Sequence, residues 1–190
     1  VVLRGWFLIE AGRFAAAESQ LDQGVELART NGEAELLLFA QIHQARLAYL
    51  RGETQEALGL ARRSVDAAER IGAPNWRGWA YWTLGRANAF SEKWEEAVRV
   101  LEEGRAISWG WRIWEARGLA SLAEAYLGLG DLTKARAAAE EALAVARRRL
   151  TRSFEADALL ALARVLLRAE GSQARTDIEK ALAETLALVR

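Results

Sequence analysis

The chain contains no cysteine, a single histidine, His43, and a single proline, Pro74. The absence of cysteine removes disulfides, thiolate chemistry and cysteine-ligated metals, and it fits a reducing compartment, so a cytoplasmic location is expected. One histidine cannot form a histidine pair, the zinc-binding HExxH pattern or a multi-histidine metal site. On helix spacing His43 reads as an ordinary helical residue rather than a general base. The phosphate-cradling GxxxxGK[ST], the dinucleotide GxGxxG and the nucleophile elbow are also missing. Gly128-Leu129-Gly130 is a helix-ending turn without the strand such motifs need, and Ser64, Ser108 and Ser121 fall inside predicted helices. The expectation is therefore a protein that is not an enzyme and holds no cofactor or metal.

Net charge is absent too, because 26 Lys and Arg balance 26 Asp and Glu. No global field recruits nucleic acid or an anionic membrane, so any charged partner must be met locally. Apolar runs such as Leu36 to Ala40 fall far short of the roughly 20 residues a membrane helix needs. The carboxylate pairs Glu95-Glu96, Glu102-Glu103 and Glu140-Glu141 have Arg or Lys three or four residues away, the pattern of a solvated helix face rather than of acid/base dyads. Arg147-Arg148-Arg149 with Arg152 ends a predicted helix, where positive charge suits the helix dipole, and reads as solvated surface. The first residues, Val1-Val2-Leu3-Arg4-Gly5-Trp6, carry neither an initiating methionine nor a basic leader and already sit in helix register. The chain thus reads as an excised or processed piece of something longer.

Alanine, leucine, arginine and glutamate dominate the composition, as helices prefer, and the chain repeats itself about every 40 residues. A small residue recurs as Gly5, Ala45, Gly85, Ala123 and Ala163, in steps of 40, 40, 38 and 40. An alanine recurs as Ala17, Ala57, Ala97, Ala135 and Ala174, in steps of 40, 40, 38 and 39. Two markers keeping one period indicate an array in which each unit buries its apolar face by stacking on its neighbour. The expected fold is all-α, one domain of five helix–turn–helix units at 1–31, 32–72, 73–110, 111–150 and 151–190. It should contain ten helices of about 11 to 19 residues.

The turns within units are Ala11-Gly12-Arg13, Arg51-Gly52-Glu53, Phe90-Ser91-Glu92, Gly128-Leu129-Gly130-Asp131 and Glu170-Gly171-Ser172. Glycine should supply the left-handed stop, and Ser91, Asp131 or Ser172 can cap the following helix. Between units the turns are Asn31-Gly32, Ile71-Gly72-Ala73-Pro74, Trp109-Gly110-Trp111 and Leu150-Thr151-Arg152. Pro74 suits a first helical turn.

Two stretches carry a family resemblance. Tyr81-Trp82-Thr83-Leu84-Gly85 and Leu119-Ala120-Ser121-Leu122-Ala123-Glu124-Ala125-Tyr126 approach the first-helix pattern of the tetratricopeptide repeat, and Phe14 with Ala17, Trp94 with Ala97 and Leu132 with Ala135 approach its second-helix pattern. The chain resembles that family throughout, most closely from Asn75 to Arg149, with a longer period than the family's 34 residues and without its closing proline. The resemblance implies an α-solenoid with a right-handed superhelix whose first helices line a concave groove. In style, the alanine- and arginine-rich units look like the arrays of bacterial multidomain regulators, including maltose-regulator-type transcription factors and ATPase-linked adenylate or guanylate cyclases.

Comparison between units separates scaffold from site. Nine residues before the small marker stand Leu36, Trp76, Trp114 and Phe154, and three before the second-helix alanine stand Phe14, Thr54, Trp94 and Leu132, so Trp76, Trp94 and Trp114 read as core. Six before, three before and one after the marker stand Phe39, Ile42 and Arg46, then Trp79, Trp82 and Arg86, then Arg117, Ala120 and Glu124, then Asp157, Leu160 and Arg164. These offsets share one helix face. With Tyr49 and Phe90, the residues Phe39, Ile42, Arg46, Trp79, Trp82, Arg86 and Arg117 have the aromatic-plus-arginine composition of a binding groove, for a peptide, a protein segment or a small anionic effector. The other reading is that a tightly wound array shuts its own groove and these rings pack on one another. Trp109 and Trp111 read as a linker staple or an exposed patch. Ile178, Leu182, Leu186 and Val189 stripe the last helix, which allows a homo-oligomer through the terminal helices.

Overall fold

Ten α-helices follow one another in the computed structural model, which describes residues 1–107 and 114–189, and these residues contain no strand. They are α1 (Val2–Glu10), α2 (Phe14–Asn31), α3 (Ala34–Arg51), α4 (Thr54–Ile71), α5 (Pro74–Phe90), α6 (Trp94–Ile107), α7 (Glu115–Leu129), α8 (Leu132–Arg149), α9 (Arg152–Glu170) and α10 (Arg175–Val189). Each packs on the next, and the odd-numbered helices also pack on one another, α3 on α5 and α7 on α9. The odd helices are therefore the inner layer of the stack and the even helices the outer one. The predicted Trp109-Gly110-Trp111 turn lies outside the described residues, as do the side chains of Ser172 and Val189.

One device makes most of the turns. The N–H two or three residues past a helix reaches back to a carbonyl in its last turn: Arg13 to Leu8, Glu33 to Ala28, Glu53 to Ala48, Lys93 to Asn88, Asp131 to Tyr126 and Thr151 to Ala146, at 2.8 to 3.1 Å. This closure needs a left-handed residue, which glycine supplies without a Cβ clash. Gly52 at φ 81° and Gly130 at φ 79° do so, but Glu92 and Leu150 take the same role at φ 56° without glycine's freedom. Capping differs from expectation at one turn. Asp131 accepts the Lys134 N–H at 3.0 Å and starts α8, whereas the Ser91 hydroxyl donates to the Ala87 carbonyl and finishes α5 instead of starting α6. Pro74 opens α5 as its first residue. The turn at Gly171 widens into a 3-10 segment, Gly171–Ala174, so Ala174 is buried just ahead of α10 rather than inside it.

The recurring small residue has a packing cause. A Cβ built on Gly85 would lie 2.4 Å from Leu101 Cγ, and one on Gly5 would lie 2.8 Å from Leu21 Cδ2. Leu21 and Leu101 stand four residues after the second-helix marker, where the second and fourth units carry Ala61 and Ala139. Glycine thus faces leucine, and Ala45 and Ala123 face alanine, so the smallest marker stands where its partner is bulkiest. All these alanines are fully buried. The contact holds the inner and outer helices of a unit together at close range.

Candidate functional site

The inner faces of α1, α3, α5, α7 and α9 meet around two clusters, one aromatic and one charged. Trp79 stacks on Trp76 at 5.9 Å and on Trp114 at 4.9 Å, and Trp114 stacks on Trp82 at 6.5 Å and lies 5.2 Å from Phe154. From α1, Trp6 reaches across to stack on His43 at 5.6 Å and to approach Trp114 at 5.9 Å. Phe39 meets His43 and Trp79 edge-on at 4.7 and 5.2 Å. These spacings are those of favourable aromatic pairs.

The nine predicted groove residues share this inner side, but the face they form is shut at its centre. Ile42, Tyr49, Trp79 and Arg117 are buried, Phe39, Arg46, Trp82 and Arg86 are half-buried, and Phe90 is exposed. Trp79, expected to face an open groove, is only 8 % exposed, whereas Trp76, Trp94 and Trp114, expected in the core, are half-buried. The physical reason is winding: the first and fourth units approach closely enough for Trp6 to cover the rings from the far side. Trp6 stands one residue after Gly5, at the offset of Arg46 and Arg86, so its place on this face was encoded in the repeat register.

Charge forms the other cluster. Arg46 donates to Glu10 at 2.7 Å, and Arg117 donates to Asp157 at 2.7 Å and lies 3.6 Å from Glu10. Arg86 donates to Glu124 at 2.6 Å, and Arg164 pairs with the other oxygen of Glu124. The change from apolar to charged character along the array is thus a ladder of ion pairs between neighbouring first helices. Each arginine expected to be available for a ligand carboxylate or phosphate is matched inside the chain. Burial pulls the Glu10 carboxyl upward, but hydrogen bonds from Arg46 and Trp6 and the charges of Arg46 and Arg117 bring it down to about 2. The Arg86 guanidinium also lies over Phe90 and Tyr49, which stack at 4.8 Å.

His43 is 1 % exposed, and neither ring nitrogen finds a hydrogen-bond partner among the described residues. Burial, aided by the charges of Arg46 and Arg117 against that of Glu10, lowers it to about 3. It is a neutral ring packed as an aromatic. Thr83 and Ser121 occupy the same place in the next two units and satisfy their hydroxyls on the carbonyls of Trp79 and Arg117.

A cavity of about 590 Å³ opens between α5, α6 and α7, walled by Trp79, Trp82, Trp114, Leu101, Leu119 and Leu122. Glu102, Arg105, Glu115 and Glu141 stand at its edge. Trp82 is fixed there by its Nε1–H, which donates to Ser121 Oγ at 3.0 Å. Reading Trp114 as scaffold and Glu102 as solvated surface left both out of the predicted site. The signal was spatial, since they lie on helices that the period alone does not bring together.

Stacked helical hairpins with a side-chain-lined inner face define a helical-repeat scaffold. Sequence profiles of the tetratricopeptide repeat match residues 36–108 and 116–148. Together these take in more than half of the chain, which belongs to the tetratricopeptide-repeat family. The family mediates protein–protein interaction, and its members are in general non-catalytic scaffolds. Among solved structures, the chain is similar to a Podosopora anserina protein provisionally assigned as a kinesin light chain, with nearly identical tetratricopeptide-like repeats. The TM-score is 0.64 at 21% identity, with 98% of this chain and 92% of that one covered. A second structure of that protein, carrying one substitution, gives a TM-score of 0.66 with the same identity and coverage. The likeness is one of fold. No curated protein sequence matches the chain. No helix among the described residues is long and apolar enough to cross a membrane.

Proposed function

We propose that the chain is a non-catalytic interaction module that holds a peptide or protein segment on its inner side, within a bacterial signalling or transcriptional regulator of the cytoplasm. The observation that carries this reading is the 590 Å³ cavity beside Trp79 and Trp82, a recess of ligand-pocket size with aromatic walls. A partner's anchoring side chain would fill it, while half-buried Phe39 and exposed Phe90, on the inner helices outside its lining, offer further contact. An anionic effector is the poorer fit, because it would have to displace an ion pair already made by Arg46, Arg86 or Arg117. Binding would regulate an attached domain only if the partner's affinity differs between two windings of the array. Selection from a random-peptide display library tests the idea. Enriched peptides should bind at least about tenfold more weakly to a Trp82→Ala variant, and enrichment of peptides indifferent to that change would count against the inner face.

A second reading has its own observation. Leu3 and Phe7 on α1 are 57 % and 63 % exposed, yet their counterparts in later units are all buried: His43, Thr83, Ser121 and Ala161 for the first, Leu47, Ala87, Ala125 and Val165 for the second. Leu182 and Leu186 on α10 are exposed as well. These end faces favour self-association through the terminal helices. Light scattering that finds a strict monomer across micromolar concentrations would remove this reading.

A further inference from the structure

The cavity between α5, α6 and α7 differs in charge from the arginine ladder beside it. Among the described residues that line it, three of the four charged side chains are carboxylates, and the one cation, Arg105, is paired with Glu141 at 2.8 Å. Glu102 accepts a hydrogen bond from the neutral Tyr126 hydroxyl at 2.9 Å, and the guanidinium of Arg149 stands 3.8 Å from Glu115. The cavity's walls are three indoles and three leucines, and indoles favour a neighbouring cation over an anion. Trp79, one of the lining residues, carries a buried Nε1–H with no hydrogen-bond partner among the described residues. An anion entering this recess would meet carboxylates and aromatic walls together, whereas a cation is favoured by both.

We infer that the cavity is a binding site for a small organic cation, an alkylated ammonium with an apolar body and an oxygen acceptor. The inference rests on the proposed reading that this side of the array is a binding surface, and it names the chemistry that the surface selects. The volume of about 590 Å³ lies within the range of small-molecule sites. The ammonium head would sit against Trp79, Trp82 and Trp114 with Glu102 and Glu115 balancing its charge, and the oxygen would take the donor of Trp79. Recognition of this kind, an aromatic cage with flanking carboxylates, requires neither a free arginine nor an open groove.

The test uses three probes of one shape and different charge: choline, the alcohol in which carbon replaces the nitrogen, and the matching carboxylate. Each is titrated into the intact chain while tryptophan fluorescence is recorded. Choline is expected to bind at least about tenfold more tightly than the alcohol, with the carboxylate weakest. A Glu102→Gln, Glu115→Gln variant should lose most of choline's advantage over the alcohol and keep only the share that the aromatic walls supply. Should that variant melt early, the charge series on the unchanged chain decides alone. Equal binding of choline and the alcohol, or tightest binding of the carboxylate, overturns the inference and leaves the inner face standing as a binding surface. Binding by none of the three overturns the inference too, and the peptide selection then judges the inner face independently.

Discussion

Replacing Gly85 by alanine should change sign in its effect on stability, depending on what stands at residue 101. In the native background the new methyl would lie 2.4 Å from Leu101 Cγ, so the leucine or its helix must move by about an ångström. Overpacking of this kind costs about 1 to 3 kcal/mol, against about 1 kcal/mol gained from alanine's better helix propensity. Gly85→Ala alone should therefore destabilise by up to about 2 kcal/mol. Leu101→Ala alone empties a site that is almost wholly buried and should cost about 2 to 5 kcal/mol. In the double variant the methyl enters space that the leucine has vacated, which recreates the Ala45–Ala61 and Ala123–Ala139 contacts. The double variant should then be more stable than Leu101→Ala alone, with a coupling of about 1 to 3 kcal/mol. Urea denaturation followed by far-UV circular dichroism gives all four corners of the cycle. Additive effects would refute size complementarity as the reason for the recurring small residue.

Stability should fall with acidification before the carboxylates titrate. His43 is lowered to about 3 in the fold from an ordinary 6.5, so the unfolded chain binds the extra proton between these values and the folded chain does not. The loss begins as pH falls through 6.5 and runs at about 1.4 kcal/mol per pH unit down to about 3. A His43→Leu variant should lose most of the slope between pH 6.5 and 4.5, and an unchanged slope in urea midpoints would contradict the buried neutral ring. Below about 4.5, Glu10 adds to the decline, since its lowered carboxyl contributes stability that disappears as pH falls towards 2. Trp79→Ala should cost about 3 to 5 kcal/mol, whereas Trp82→Phe should cost about 1 kcal/mol through the lost Ser121 hydrogen bond; thermal melts separate the two. Leu150→Gly should stabilise by about 1 kcal/mol, because Leu150 is 87 % exposed and held at φ 56°, and a lowered melting temperature would show that the leucine makes a contact worth more than the strain.

The repeat was legible because the two small positions recur for a local reason, the contact between the helices of one unit. Helix ends were legible where glycine or aspartate makes the turn, as at Gly52 and Asp131, and also at Phe90-Ser91-Glu92 and Leu150-Thr151-Arg152, but the left-handed backbone of Glu92 and Leu150 carries no sequence mark. The inner face could be assembled from offsets around the small marker, since residues on one side of a helix are fixed by its period. Its closure was not legible. How far the array winds depends on the sum of small rotations between units, and no single offset states that Trp6 will reach Trp114. For the same reason the arginines could be placed on the face but not matched with Glu10, Glu124 and Asp157, whose approach depends on the spacing of neighbouring helices.

An ordinary solenoid can be treated as a chain of units in which each feels only the next, so it frays from its ends and its partial unfolding is graded. Here Trp6 lies 5.9 Å from Trp114, and Glu10 lies 3.6 Å from Arg117, which ties the first unit to the fourth. That link makes the array resemble a closed loop in its energetics: peeling off α1 would expose rings in three other units at once. Unfolding should accordingly be more nearly all-or-none than in an open stack of equal length, and formation of the native state should await a contact between distant parts of the chain.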